Sequence, residues 1–234
     1  DPVVEAFLEG TGKDLKTLRE SIKIELKPVS FNTGKQALMA VNADYHPEGT
    51  TRNVVAVIEG SDPVLKNEYM IIGAHLDHLG MMPVLFPGAL DNASGSAIAL
   101  GVAKSLAEAS IELKRSLIIL LFGAEEVGLV GSSWFVEHWP YDREQIKFMV
   151  NLDMVGRGNA FFSATSEPWK ELLPYFERNN DRWVHRPMMT RSGPWNHSFR
   201  PRTDGAVFSN EKIPAIHFGA RVVTTCGTDE KCER

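Results

Sequence analysis

The hydrophobic pattern alternates between short apolar runs and segments of helical period. Ser116-Leu-Ile-Ile-Leu-Leu-Phe122, stopped by Gly123, is an unbroken run rich in branched residues and predicts a strand buried on both faces of a sheet. Similar strands are predicted over Asn53 to Ile58, over Tyr69 to Ile72 running into Gly73-Ala-His-Leu-Asp-His78, over Ile146 to Leu152, and over Ile213 to Phe218. Leu15, Leu18, Ile22 and Leu26 recur at helical spacing before Pro28 and predict an amphipathic helix. Ile98, Ala99, Val102, Ala103 and Leu106 form one apolar stripe on a helix opened by Asp91-Asn-Ala-Ser-Gly95. Further helices are predicted over 131–138, over 168–179 and, shorter, over 204–210. Phe31 to Tyr45 holds only β-compatible pieces, and His46-Pro-Glu-Gly49 is a turn. Strands alternating with helices predict an α/β sandwich with a largely parallel sheet.

Composition narrows the function classes. The 234 residues, 43% of them apolar, suffice for one core and one main domain. A formal charge of -5 and a pI near 5.8 give no basic footprint for nucleic acid and no polybasic membrane anchor. No apolar stretch reaches the length of a membrane span, and the start at Asp1-Pro-Val-Val-Glu5 lacks a signal-peptide pattern and an initial Met, which reads as a processed chain. The two cysteines, Cys226 and Cys232, flank five residues in a polar tail without histidine. That spacing fits a small disulfide, with two free thiols as the alternative, and a disulfide goes with an extracytoplasmic location.

The chemistry gathers where strands end. Four apolar strands deliver a metal-capable residue: His75, the Glu125-Glu126 pair, Asp153 and His217, while Asp91 stands at a helix entrance. Singly each has an ordinary reading, an exposed acidic turn for the glutamates or a core imidazole for His75. Sites in open α/β sheets form beyond the carboxyl ends of the strands, so these residues are expected to converge. Histidine and carboxylate without cysteine are the ligand types of a catalytic rather than a structural zinc. Two metals ~3.5–4 Å apart need a bridging carboxylate, for which Asp91 is the candidate. Asp77, two residues beyond His75, shares its face in an extended strand and is placed to accept from the far imidazole nitrogen.

Taken in order, Gly73-Ala-His-Leu-Asp-His-Leu-Gly80, Asp91-Asn-Ala-Ser-Gly95, Gly123-Ala-Glu-Glu-Val-Gly-Leu-Val-Gly-Ser132, Asn151-Leu-Asp-Met-Val-Gly156 and Ile213-Pro-Ala-Ile-His217 resemble the successive motifs of the co-catalytic di-zinc aminopeptidase family. That family includes secreted bacterial leucyl aminopeptidases, glutamate carboxypeptidases and glutaminyl cyclases, and the resemblance spans 53–218. It implies a three-layer α/β sandwich with a mixed, mostly parallel central sheet, the zinc aminopeptidase (phosphorylase/hydrolase-like) fold. It divides the chain into a helical and extended segment, 1–52, packing on the core, and a peptidase domain, 53–234. It also implies that His75 and Asp153 bind one zinc, Glu126 and His217 the other, and that Asp91 bridges both. Glu125 would be the general base and Asp77 would orient His75. Two Zn2+ per chain, or another divalent metal, and peptides with a free N-terminus are the implied cofactors and partners, with no nucleic acid and no membrane span. The implied reaction is removal of N-terminal residues by a water that two cations polarise. Two rivals share the fold: a glutaminyl cyclase-like acyltransferase with one zinc, and a non-catalytic binding ectodomain. The complete ligand set favours hydrolysis over both. A carboxypeptidase or deacylase is disfavoured, because His78-Leu-Gly80 lacks the proline usual after its His-x-Asp.

The remaining candidates read more plainly. His78 is expected to be a pocket or surface residue, and His138, His185 and His197 are ordinary. Trp195, Met81, Met82 and Phe86 would line an apolar specificity pocket or pack within loops. Arg157 would grip a substrate carboxylate or, in the preferred reading, close a salt bridge within its loop. Ser198 to Asp204 resembles a family segment Ser-Asp-His in which Thr203 and Gly205 replace the outer residues, leaving Asp204 beside the ligands rather than among them.

Overall fold

The computed structural model describes residues 2–42, 46, 48–82, 84–109, 111–193, 203–222, 224–225 and 231–232. Two compact units divide the chain after Gly49. In the first, α1 (Pro2–Leu8) precedes α2 (Leu15–Glu25), whose start is fixed by Asp14 accepting from the Thr17 N–H at 3.0 Å. α2 matches the amphipathic helix expected there, whereas residues 31–42 form no strand.

The second unit holds β1 (Val54–Ile58), β2 (Tyr69–His75), the short hairpin β3 (Gly80–Met81) and β4 (Leu85–Phe86), α3 (Ser94–Glu108), β5 (Ser116–Phe122), α4 (Val130–Glu137) and β6 (Ile146–Leu152). It continues with β7 (Ala160–Ser166), α5 (Leu173–Asn179), β8 (Met188–Gly193), α6 (Asp204–Asn210) and β9 (Ala215–Arg221). A two-stranded ladder of β10 (Thr224–Thr225) and β11 (Lys231–Cys232) follows. The main sheet runs β1-β5-β2-β6-β9-β7-β8, with β5, β2, β6 and β9 mutually parallel and β1 and β7 antiparallel to their inner neighbours. This is the mixed, mostly parallel sheet that the family resemblance implies, its parallel core being what the alternating pattern predicts.

β5 shows how the layers are built, because every residue in it is buried. Ile118, Leu120 and Phe122 point to one side, against Phe135 and Val136 of α4 and Phe208 of α6. Leu117, Ile119 and Leu121 point to the other, against Ala99, Ala103 and Leu106 of α3. The two-residue period of a strand thus feeds two cores, and helices cover both faces. The chain leaves β2 through α3 to β5 on one side and then crosses to β6 on the other. The carboxyl end of β2 is therefore a switch point, where diverging loops open a crevice. No helix of the described residues is long and apolar enough to cross a membrane.

Three boundaries depart from expectation. The predicted helix over 168–179 is a 3-10 turn, Glu167–Leu172, followed by α5, which restarts at Leu173 with Pro174 in its first turn. β9 does not stop near His217 but continues to Arg221, because it pairs with β7 along its whole outer edge. Asp91 does not cap α3; Ala89 to Ala93 form a wide turn and α3 begins at Ser94.

Candidate metal centre

β2 places His75, 2% exposed, at the switch point. Its backbone carbonyl accepts from the Ser96 hydroxyl at 3.0 Å, tying it to the first turn of α3. The imidazole Nδ1 lies 3.0 Å from the backbone carbonyl of Asp77. A carbonyl only accepts, so Nδ1 carries the proton and Nε2 faces the site. There Asp91 Oδ1 stands 3.1 Å away and Asp153 Oδ1 3.5 Å away. Asp153, just past β6, has no hydrogen-bond donor at normal bonding distance from this buried oxygen among the described residues. Buried oxygens are rarely left unpartnered, so His75, Asp91 and Asp153 suit a shared cation, and their N and O donors suit zinc.

One side chain ties together the backbone segments that carry the two aspartates. Asn92 donates through Nδ2 to the Leu152 carbonyl at 2.9 Å, while its Oδ1 accepts from the N–H groups of Gly95 at 3.0 Å and Met154 at 3.3 Å. It joins the end of β6 to the start of α3, and only glycine fits opposite: a Cβ at Gly95 would lie 2.4 Å from Asn92 Oδ1 and from the Leu152 carbonyl.

The glutamates follow β5 in a tight turn. Asp77 does not reach His75 through its carboxylate, whose Oδ1 is 3.9 Å from Nδ1. The strand ends at His75, so the shared-face argument lapses by residue 77, and the carboxylate turns instead to the glutamate turn. Oδ1 accepts from the Glu125 N–H at 2.9 Å and Oδ2 from the Glu126 N–H at 3.1 Å. Asp77 is thus a clamp on the backbone that presents both glutamates. Among the described residues, three mixed groups place their donor atoms within 4.8 Å of one another: His75 with Glu125 and Glu126, His75 with Asp91 and Asp153, and His78 with Asp91 and Glu126.

His217 stands outside these groups. Opposite Asn151 in the β6–β9 ladder, it has its Nδ1 3.1 Å from Asn151 Nδ2. His78, read from sequence as a pocket or surface residue, has its Nδ1 2.6 Å from Glu126 Oε1. Of the others, His138 stacks on Trp134 at 4.3 Å, His185 and Arg157 are exposed, and Met81, Met82 and Phe86 are exposed on the hairpin beside the site. Trp195, His197, Cys226 and the segment from Ser198 to Arg202 lie outside the described residues.

So many acids in one crevice shift each other. Burial lowers the His75 pKa, but Asp153 and Glu125 outweigh it and push it up to about 9. Burial, reinforced by Asp204, Asp153 and Glu126 and opposed by His75, pushes Glu125 up to about 8. Asp91 is raised by burial and by its acidic neighbours, while burial lowers His217. Asp204, at the start of α6 and 1% exposed, is pushed to about 7 by burial, against the pull of the Ser132 hydroxyl and His75. Groups displaced this far, grouped in a crevice, mark a reaction site or a cation site.

Known proteins resemble this chain. Over 149 residues, 63% of this chain and 31% of its relative, the sequence is 31% identical to leupeptin-inactivating enzyme 1 of Streptomyces exfoliatus. It is 40% identical over 110 residues to an aminopeptidase of Pseudomonas aeruginosa, covering 47% of this chain and 19% of that protein. The crystal structure of the LapA aminopeptidase of Legionella pneumophila superposes with a TM-score of 0.58 at 28% identity, over 73% of this chain and 45% of that one. The chain thus spans less than half the length of each. The sequence profile of peptidase family M28 matches residues 53–231, all the strands and helices that build the crevice, and the chain belongs to that family.

Proposed function

We propose that the chain is the catalytic part of a zinc-dependent aminopeptidase that removes N-terminal residues from peptides. The observation that carries this reading is the meeting of His75, Asp91 and Asp153 from three separate elements, with both carboxylates within 3.1 and 3.5 Å of the His75 Nε2. Membership of a peptidase family and likeness to aminopeptidases support it. His75 and Asp153 would hold one zinc, Glu126 and His217 the other, with Asp91 between them. Cations held there supply Lewis acidity, lowering the pKa of water and polarising the scissile carbonyl. Glu125 takes the proton of the attacking water and passes it to the leaving amine, standing next to Glu126 on the turn that follows β5. Asp77 fixes where that base stands by holding its backbone N–H. Peptides with a free N-terminus are the proposed substrates. An extracytoplasmic location rests on the spacing of Cys226 and Cys232.

The test is the metal content of the purified chain, with hydrolysis of amino-acid anilides before and after chelation and for Glu125→Ala. About two zinc ions per chain and activity abolished by chelation are expected, with Glu125→Ala inactive yet metal-loaded. No metal bound and no anilide cleaved would overturn the reading.

A further inference from the structure

We propose that His78 is itself a ligand of the second metal ion, binding through Nδ1 beside Glu126 and Asp91 Oδ2. The inference rests on the two-metal reading above and adds a residue to it. Asp91 divides its carboxylate between two histidines: Oδ1 lies 3.1 Å from His75 Nε2 and Oδ2 3.9 Å from His78 Nδ1. A bridging carboxylate offers one oxygen to each ion, so each oxygen marks one site: His75 and Asp153 gather at one, and His78 and Glu126, joined by the proposed His217, at the other.

The distances fit. Bonds of ~2.0–2.2 Å from zinc to nitrogen and oxygen place neighbouring tetrahedral donors about 3.3 Å apart. At the first site the spacings are 3.1 and 3.5 Å. At the second, His78 is 2.6 Å from Glu126 Oε1 and 3.9 Å from Asp91 Oδ2. These straddle the same edge, so a small swing of the ring from Glu126 toward Asp91 brings both to it.

The backbone is shaped to bring His78 there. Gly88, with φ +67°, lies so close that a Cβ on it would be 2.9 Å from His78 Cβ and 3.1 Å from the Asp91 carbonyl. The left-handed conformation and the missing side chain let the loop carrying Asp91 fold against the His78 ring. Phe86 packs edge-on at 6.4 Å and confines the ring further.

Titration of the metal-free chain with Co2+, followed by visible absorption and by metal count, tests this. Wild type is expected to take two equivalents. His78→Ala should keep the first and weaken the second more than about 100-fold, beyond the 10–100-fold typical of a residue that merely orients a ligand. His78→Asn keeps a donor near the Nδ1 position for Glu126 but supplies no imidazole, and should behave like His78→Ala. Both equivalents retained within about 10-fold in His78→Asn would overturn the inference, since a hydrogen bond to Glu126 would then be the whole role of His78. Wild type taking fewer than two equivalents would overturn the two-metal reading, and this inference with it. Circular dichroism of each variant separates lost binding from lost folding.

Discussion

Replacing Asp77 by Asn probes the clamp on the glutamate turn while changing almost no volume. The carboxylate accepts two backbone N–H bonds, at 2.9 and 3.1 Å, from Glu125 and Glu126. Asparagine has one acceptor oxygen and one donor NH2, so one N–H would face another donor. Bonds to a charged acceptor contribute about 1.5–3 kcal/mol each, and the abandoned N–H adds a desolvation penalty. The side chain is a quarter exposed, which moderates both effects, so a loss of about 2–3 kcal/mol is expected. For a unit of this size that is about 5–10 °C in Tm. Calorimetry of the chelated protein isolates the clamp from any contribution of bound metal. The loss should fall on the glutamates and not on His75, whose Nδ1 rests on the Asp77 backbone. The metal-loaded Asp77→Asn protein should therefore keep its first ion while kcat drops about 100-fold through displacement of the base. A chelated Asp77→Asn protein within about 0.5 kcal/mol of wild type would refute the clamp.

Glu125→Gln, which cannot take a proton, should lower kcat by about 10²–10⁴ with metal content unchanged, as read by anilide hydrolysis and elemental analysis. In the chelated protein Glu125 is raised from 4.5 to about 8 and His75 from 6.5 to about 9. Over pH 4.5–9 the folded state thus binds more protons than the unfolded chain. The stability they contribute is complete below the unfolded values and is lost as pH rises through the folded ones, so Tm of the chelated protein should fall from pH 6 to 9; a rising Tm would contradict the shifts. Gly95→Ala, which drives a Cβ to 2.4 Å from two oxygens, should cost about 1–3 kcal/mol in denaturant unfolding and weaken the first ion.

The strands bearing His75, Glu125, Glu126 and Asp153 were legible because a strand buried on both faces must be apolar throughout, and a polar residue at its end then stands out. β7 was not legible: its buried positions include Ser163 and Thr165, the latter held by a hydrogen bond to the Ala215 carbonyl, so its apolar signal is broken. Missing β7 also hid the continuation of β9, whose outer partner it is, and with it the position of His217 within the strand. Proline explains the helix drawn too long, since Pro174 lacks the N–H that would carry an α-helix through it. The placement of His78 depends on a left-handed glycine ten residues downstream and on a hairpin of two-residue strands. Neither leaves a periodic signal in the sequence.

Asn92 links the loop of Asp91 to that of Asp153 through three hydrogen bonds to backbone, none of which involves a cation. The relative position of the two backbone segments that carry those carboxylates is therefore a property of the polypeptide. Were the proposed first ion lost, this backbone tie would remain, so exchange of one divalent ion for another would not require the segments carrying Asp91 and Asp153 to refold.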